Sequence, residues 1–129
     1  MKPVWETLNP KLFKPYDEVW SVEDHQRYQL ILDYPVGKII KLLHSSYNRL
    51  FNSEGLFNPY LGKDKIENIK DRWTVDLPID PPLLFWDYST KSTMIENGIH
   101  RIDYAIELRT THLPILIPRI DYAIFCLME

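Results

Sequence analysis

Residues 98–101, Gly-Ile-His-Arg, place a glycine, an imidazole and a guanidinium within four positions, directly after Glu96 and Asn97. These residue types at this spacing suit the binding of an anion. Glycine permits a left-handed turn and close approach of a ligand to the backbone. A helix starting there presents free N–H groups that favour negative charge. An arginine in its first turn can fork onto two phosphate oxygens. Gly98, Ile99, His100 and Arg101 are therefore the candidate phosphate-binding residues, with Glu96 and Asn97 at the pocket rim. His100 is also a candidate catalytic residue, since imidazole can move a proton near neutral pH. Asp80 is the second catalytic candidate, and Asp80 and Asp76, both in VDLPIDPP (75–82), are the candidate Mg²⁺ ligands. Each has a plainer role open to it. Arg101 can pair with Glu96 or Asp103, Gly98 can serve the turn alone, Asn97 can cap the helix, and aspartates beside prolines form turns.

Positioning such a turn requires a strand before it and a helix after it. Short strands are expected at Trp73–Leu77, Leu83–Asp87 and Thr93–Glu96, a helix at Ile99–Arg109 and a buried strand at Leu113–Ile117. On that helix Ile99, Ile102, Ala105, Ile106 and Leu108 point inward, and His100, Asp103, Tyr104 and Glu107 outward. Upstream, Ser21 caps a helix running to about Leu32, a second helix spans Val36 to about Leu50, and Asp64 starts a short one ending at Arg72. Residues 1–20 form an irregular aromatic arm, 21–72 are mainly helical, and 73–129 carry the α+β portion with the turn. The fold class is α+β: N-terminal helices followed by β-β-β-α-β.

The stretch MIENGIHRIDYAIELRTTHLPILI (94–117) resembles the signature of the ParB/sulfiredoxin-like superfamily. In that signature a strand enters a Gly-x-x-Arg turn, then a helix with small residues and an Ile-Pro-Val-type strand. The matching positions are Gly98, His100, Arg101, Ala105, Leu108, Leu113, Pro114 and Ile115, within a resemblance covering about residues 83–118. The resemblance implies that the turn binds nucleotide phosphates, with ATP or CTP and Mg²⁺ among the candidate cofactors. It also has departures. Ile99 stands where sulfiredoxins carry their reactive cysteine, and Gly-Ile-His-Arg replaces the Gly-Glu-Arg-Arg of the segregation proteins. Asn97 stands where the free-serine kinases have an aspartate.

Composition narrows the classes further. The chain has 129 residues, 45% of them apolar and 13% aromatic, so a single folded domain is expected. A net charge of −3 does not recruit nucleic acid or anionic lipid as a whole. A basic face at Lys38, Lys41 and Arg49, with His44, could locally contact a phosphate backbone or an acidic partner; a solvated face is the ordinary alternative. Cys126 is the single cysteine, and the four histidines lack zinc-site spacing. With no apolar run long enough for a bilayer, the expected setting is cytoplasmic, without a membrane partner.

The hexapeptide RIDYAI occurs at 101–106 and again at 119–124, too few copies for a repeat architecture. Helix and strand both suit the second copy. Together these features favour a nucleotide- or phosphate-ligand-binding domain, with phosphoryl transfer or nucleotide hydrolysis as the chemistry if it is catalytic. The alternatives are a non-enzymatic interaction protein of immunity, antitoxin or inhibitor type, and a small nucleic-acid-binding module.

Overall fold

The computed structural model describes residues 1–8, 10, 22–50 and 63–127. The Ser21 cap, the rings of Phe13, Tyr16, Trp20, Phe51, Phe57 and Tyr60, and the Arg49 side chain fall outside the described residues. In chain order the elements are α1 (Val22–Arg27), β1 (Tyr28–Pro35), α2 (Val36–Leu42), a 3-10 segment (Ser45–Leu50) and α3 (Lys63–Thr74). They continue with β2 (Leu83–Asp87), β3 (Ser92–Asn97), α4 (Ile99–Glu107), β4 (His112–Pro118), a 3-10 turn (Arg119–Asp121) and α5 (Tyr122–Leu127). The fold is α+β around a four-stranded mixed sheet of order β1-β4-β2-β3.

This order differs from the expected β-β-β-α-β run at two places. Residues 28–35 are not the end of a helix but an edge strand, antiparallel to β4 with Tyr28 opposite Pro118 and Ile31 opposite Ile115. The apolar run Tyr-Gln-Leu-Ile-Leu suits either element, and the exposed backbone of β4 decides for the strand. Conversely, Trp73–Leu77 is not a strand, because α3 runs through Trp73 to Thr74. Trp73 is held there by tertiary contacts: its ring packs edge-on to Trp5 at 5.1 Å and stacks on Tyr104 at 5.8 Å. Its Nε1 donates to the Val4 carbonyl at 2.9 Å. The second expected helix also stops early. Leu43 turns extended and pairs with Thr93 on the outer edge of β3, where the Tyr47 hydroxyl then bonds both the N–H and the carbonyl of Ile95. That edge is thereby closed to further strands over this stretch.

Pro114 sits inside β4 and has no N–H to donate. The register of β1 shifts opposite it, between Ile31 and Tyr34, so the extra residues bulge out where a ladder bond would be missing. The core forms on both faces of β4, whose residues Leu113–Ile117 are all buried. Ile102 and Ala105 of α4, Phe125 of α5, and Leu84 and Trp86 of β2 belong to one apolar cluster; Ile69, Trp73 and Tyr104 form a second. Tyr104, expected on the outside of its helix, is buried because the N-terminal arm and α3 cover that side too.

Two helices end in Schellman motifs without glycine. In α3 the Leu77 N–H reaches the Arg72 carbonyl and Asp76 N–H the Trp73 carbonyl; after α4, Thr110 reaches Ala105 and Arg109 reaches Ile106. Asp76 (φ 60°) and Arg109 (φ 63°) occupy the left-handed positions. Replacing exposed Asp76 by glycine should therefore raise stability, by about 1 kcal/mol, measurable as a higher urea midpoint at unchanged m-value.

Candidate anion-binding site

The β3–α4 junction is shaped by three local features. Leu83 pairs with Asn97 but Leu84 with Ile95, so Glu96 is an extra residue that kinks the end of β3. Gly98 then adopts φ 97°, ψ 22°, and caps α4 without any side-chain bond. A Cβ at Gly98 would lie 2.8 Å from both Cα and Cβ of Pro82, so the turn is packed directly onto the proline-rich connection. The first helical bond is donated by Ile102 to the Gly98 carbonyl at 3.0 Å, which leaves the N–H groups of Ile99, His100 and Arg101 outside the helix ladder.

Beside this turn lies a cleft of about 350 Å³. α3 contributes Lys65, Asn68 and Ile69, β3 contributes Ile95, Glu96 and Asn97, and the turn contributes Gly98 through Arg101. The structure thus brings together all six of Glu96, Asn97, Gly98, Ile99, His100 and Arg101. Its cationic side chains are Lys65 and Arg101, facing a single carboxylate, Glu96. The volume is at the lower end for small-molecule pockets.

Arg101 is more constrained than a free phosphate clamp. Its Nη1 donates to the Asp80 carbonyl at 2.9 Å and approaches the Pro81 carbonyl at 3.4 Å. Burial lowers its pKa, and the Asp80 charge acts in the opposite direction. Arg72 holds the same connection from the other helix, through the Pro78 carbonyl at 2.9 Å. Arg101 thus fixes the PIDPP connection (78–82) while still lining the cleft, and its charge contributes there.

His100 is the least satisfied group of the site. Its Nδ1 is buried with no hydrogen-bond partner among the described residues. Burial, followed by the charges of Lys65 and Arg101, holds the imidazole below its ordinary pKa. Its position beside two cations marks a positive field.

The expected metal ligands do not converge on this cleft. Asp80 stands near Arg101 but is not part of the cleft lining, and Asp76 is exposed in the helix-ending turn of α3. The proline connection separates them because it crosses to meet the N-terminal arm, where Ile79 pairs with Trp5. No group of three or more His, Cys, Asp or Glu suited to a metal ion occurs among the described residues.

The basic face of residues 36–50 is also redistributed. Lys38 Nζ donates to the Phe125 carbonyl at 3.3 Å and lies 5.3 Å from the Tyr34 ring, so it ties α2 to the end of α5. The Tyr34 hydroxyl donates to the same carbonyl, and burial pushes its pKa up to about 12. Lys41 is exposed, and His44 accepts from the Ser46 N–H. No helix among the described residues is long and apolar enough to cross a membrane.

Lys65, Asn68, Ile69 and Ile95 are the lining residues that sequence reasoning misses. The spacing of the first three puts them on one face of α3, but which face meets α4 depends on Trp73 and the arm.

No family model, curated protein or solved structure matches this chain. The functional reading therefore rests on the cleft.

Proposed function

We propose that this protein binds a nucleotide or another phosphorylated small molecule through the Gly98–Arg101 turn, on a ParB/sulfiredoxin-like variant of the α+β fold. One observation carries the reading: the uncapped first turn of α4 lines a cleft flanked by Lys65, His100 and Arg101. A terminal phosphate there would meet backbone N–H groups, the positive end of a helix dipole and two cations. Ile69, Ile95 and Ile99 offer apolar wall for the rest of the ligand. Binding is better supported than turnover, because Asp80 does not line the cleft and Arg101 is partly committed to backbone carbonyls. If turnover occurs, phosphoryl transfer or nucleotide hydrolysis is the reaction class that a phosphate cradle serves, with His100 handling the proton.

Thermal unfolding with ATP, CTP, GTP, ADP or inorganic phosphate, each with and without Mg²⁺, tests this reading. At 100 times its dissociation constant a ligand should add about 2.7 kcal/mol, a shift of several degrees for a domain of this size. Lys65→Glu, an exposed change on α3, should abolish the shift without lowering the unliganded melting temperature by more than a degree or two. If no compound stabilises the wild type, the phosphate reading is lost.

One observation favours a second reading, the non-enzymatic interaction protein. Ile120 and Leu127 are 84% and 79% exposed on the C-terminal turn and helix, apolar side chains that a partner could cover. Ile120→Lys with Leu127→Lys should then abolish a complex detected by size exclusion while leaving any nucleotide response intact.

A further inference from the structure

We propose that β1 is an interaction edge whose partner is a second copy of this chain, joined strand to strand so that the two sheets become continuous. The inference is independent of the anion cleft and starts from backbone directions in the sheet. The Leu116 N–H donates to the Pro82 carbonyl at 2.9 Å, so the Leu116 backbone is turned toward β2. Leu30, opposite it on β1, therefore occupies a non-hydrogen-bonded position, with its N–H and C=O directed away from β4. The Gln29 side-chain amide donates to that outward carbonyl at 3.1 Å, a contact that an added strand replaces. The two edges of the sheet differ in this respect. Leu43 and Tyr47 close the β3 edge, whereas no element among the described residues pairs with the outer side of β1. β1 also lacks the lysines that blunt many natural edges, and its Leu32 is 64% exposed.

Any extended peptide can add to a free edge, but this edge is complementary to itself. Antiparallel pairing about a two-fold axis at Leu30 lets the Leu30 N–H of each copy donate to the Leu30 carbonyl of the other. The same register sets Gln29 opposite Ile31, Tyr28 opposite Leu32 and Arg27 opposite Asp33. Arg27 and Asp33 are both exposed, and the symmetry forms their pair twice. An axis at Gln29 would put Arg27 opposite Ile31, and an axis at Ile31 would put it opposite Pro35. Charge and backbone direction thus select one register. Tyr28 and Leu32 add an aromatic–aliphatic cross-strand pair. The bulge between Ile31 and Tyr34 bends the strand and keeps the paired segment short, so the expected dimer is weak and reversible.

Sedimentation velocity over about 5–500 µM chain, at low and high salt, tests this. The expected result is a monomer–dimer equilibrium that weakens as salt rises. Arg27→Asp and Asp33→Arg should each weaken the dimer by about tenfold or more, because each turns two attractive pairs repulsive. The double variant, Arg27→Asp with Asp33→Arg, should restore it. Circular dichroism establishes that each variant is folded. A wild type that stays monomeric throughout overturns the inference. So does a dimer that ignores the single reversals, or one that the double variant fails to restore. A dimer lost in Ile120→Lys with Leu127→Lys but kept in the β1 variants places the interface on the C-terminal helix and overturns it equally.

Discussion

Gly98→Ala should lower stability by about 2–6 kcal/mol, a large share of the total for a domain this size. Two costs add. At φ 97° any L side chain is strained, by about 1–3 kcal/mol. The new methyl would also sit 2.8 Å from backbone and ring atoms of Pro82, a clash that typically costs another 1–3 kcal/mol. Neither obstacle is the flexible end of a side chain, and Pro82 is itself buried at the start of β2. Relief would require moving the connection that Arg101 and Arg72 hold through its carbonyls. Urea unfolding measures the loss as a lower midpoint. Gly37→Ala is the matched control: it lies exposed in α2 with nothing within 4 Å of where a Cβ would stand, and should gain about 0.5–1 kcal/mol. A loss under about 1 kcal/mol for Gly98→Ala would mean that the turn is neither strained nor tightly packed.

Asp121→Ala should cost about 3 kcal/mol. Asp121 is only 3% exposed, and its carboxylate accepts from the Trp86 N–H at 3.1 Å and the Tyr88 hydroxyl at 2.8 Å. β2 pairs with β4 only at Leu83↔Leu116, so farther along the strand the carboxylate takes the place of a ladder acceptor. Alanine leaves a buried N–H unpaired. The Asp121→Asn change keeps one acceptor and should lose about half as much. A spectroscopic readout separates this from general damage. The bond to Asp121 raises the Tyr88 pKa above its ordinary value, so the Asp121→Asn protein should show a Tyr88 that ionises at lower pH.

Much of the site is legible in the sequence because it is local. Glycine before a helical pattern predicts a helix start at that point, and Glu96 through Arg101 all line the cleft. β2, α4 and β4 are also legible, since Leu83–Asp87 is bounded by proline and turn residues and α4 has a clear apolar period. Helix ends are less so. Asp76 and Arg109 take the left-handed position that glycine usually announces, leaving no compositional mark at either stop. The stretches at Trp73 and Tyr28 mislead because five to eight residues of mixed apolar character fit both periods, and long-range contacts choose between them.

The duplicated hexapeptide separates the two levels most cleanly. The sequence by itself determined that RIDYAI can form helical turns, and both copies do: 101–106 lie within α4, and 119–124 form the 3-10 turn and the start of α5. It did not determine which side would be covered. In the first copy Ile102, Tyr104 and Ala105 are buried, under the sheet and the aromatic cluster. In the second Ile120 and Tyr122 are exposed, and the aspartate goes inside to meet Trp86 and Tyr88. Identical side chains have identical intrinsic preferences, so the difference comes from their surroundings. Gly98 leads the first copy under the sheet edge, whereas Pro118 releases the second at the end of β4, beside a strand N–H that the Asp121 carboxylate satisfies.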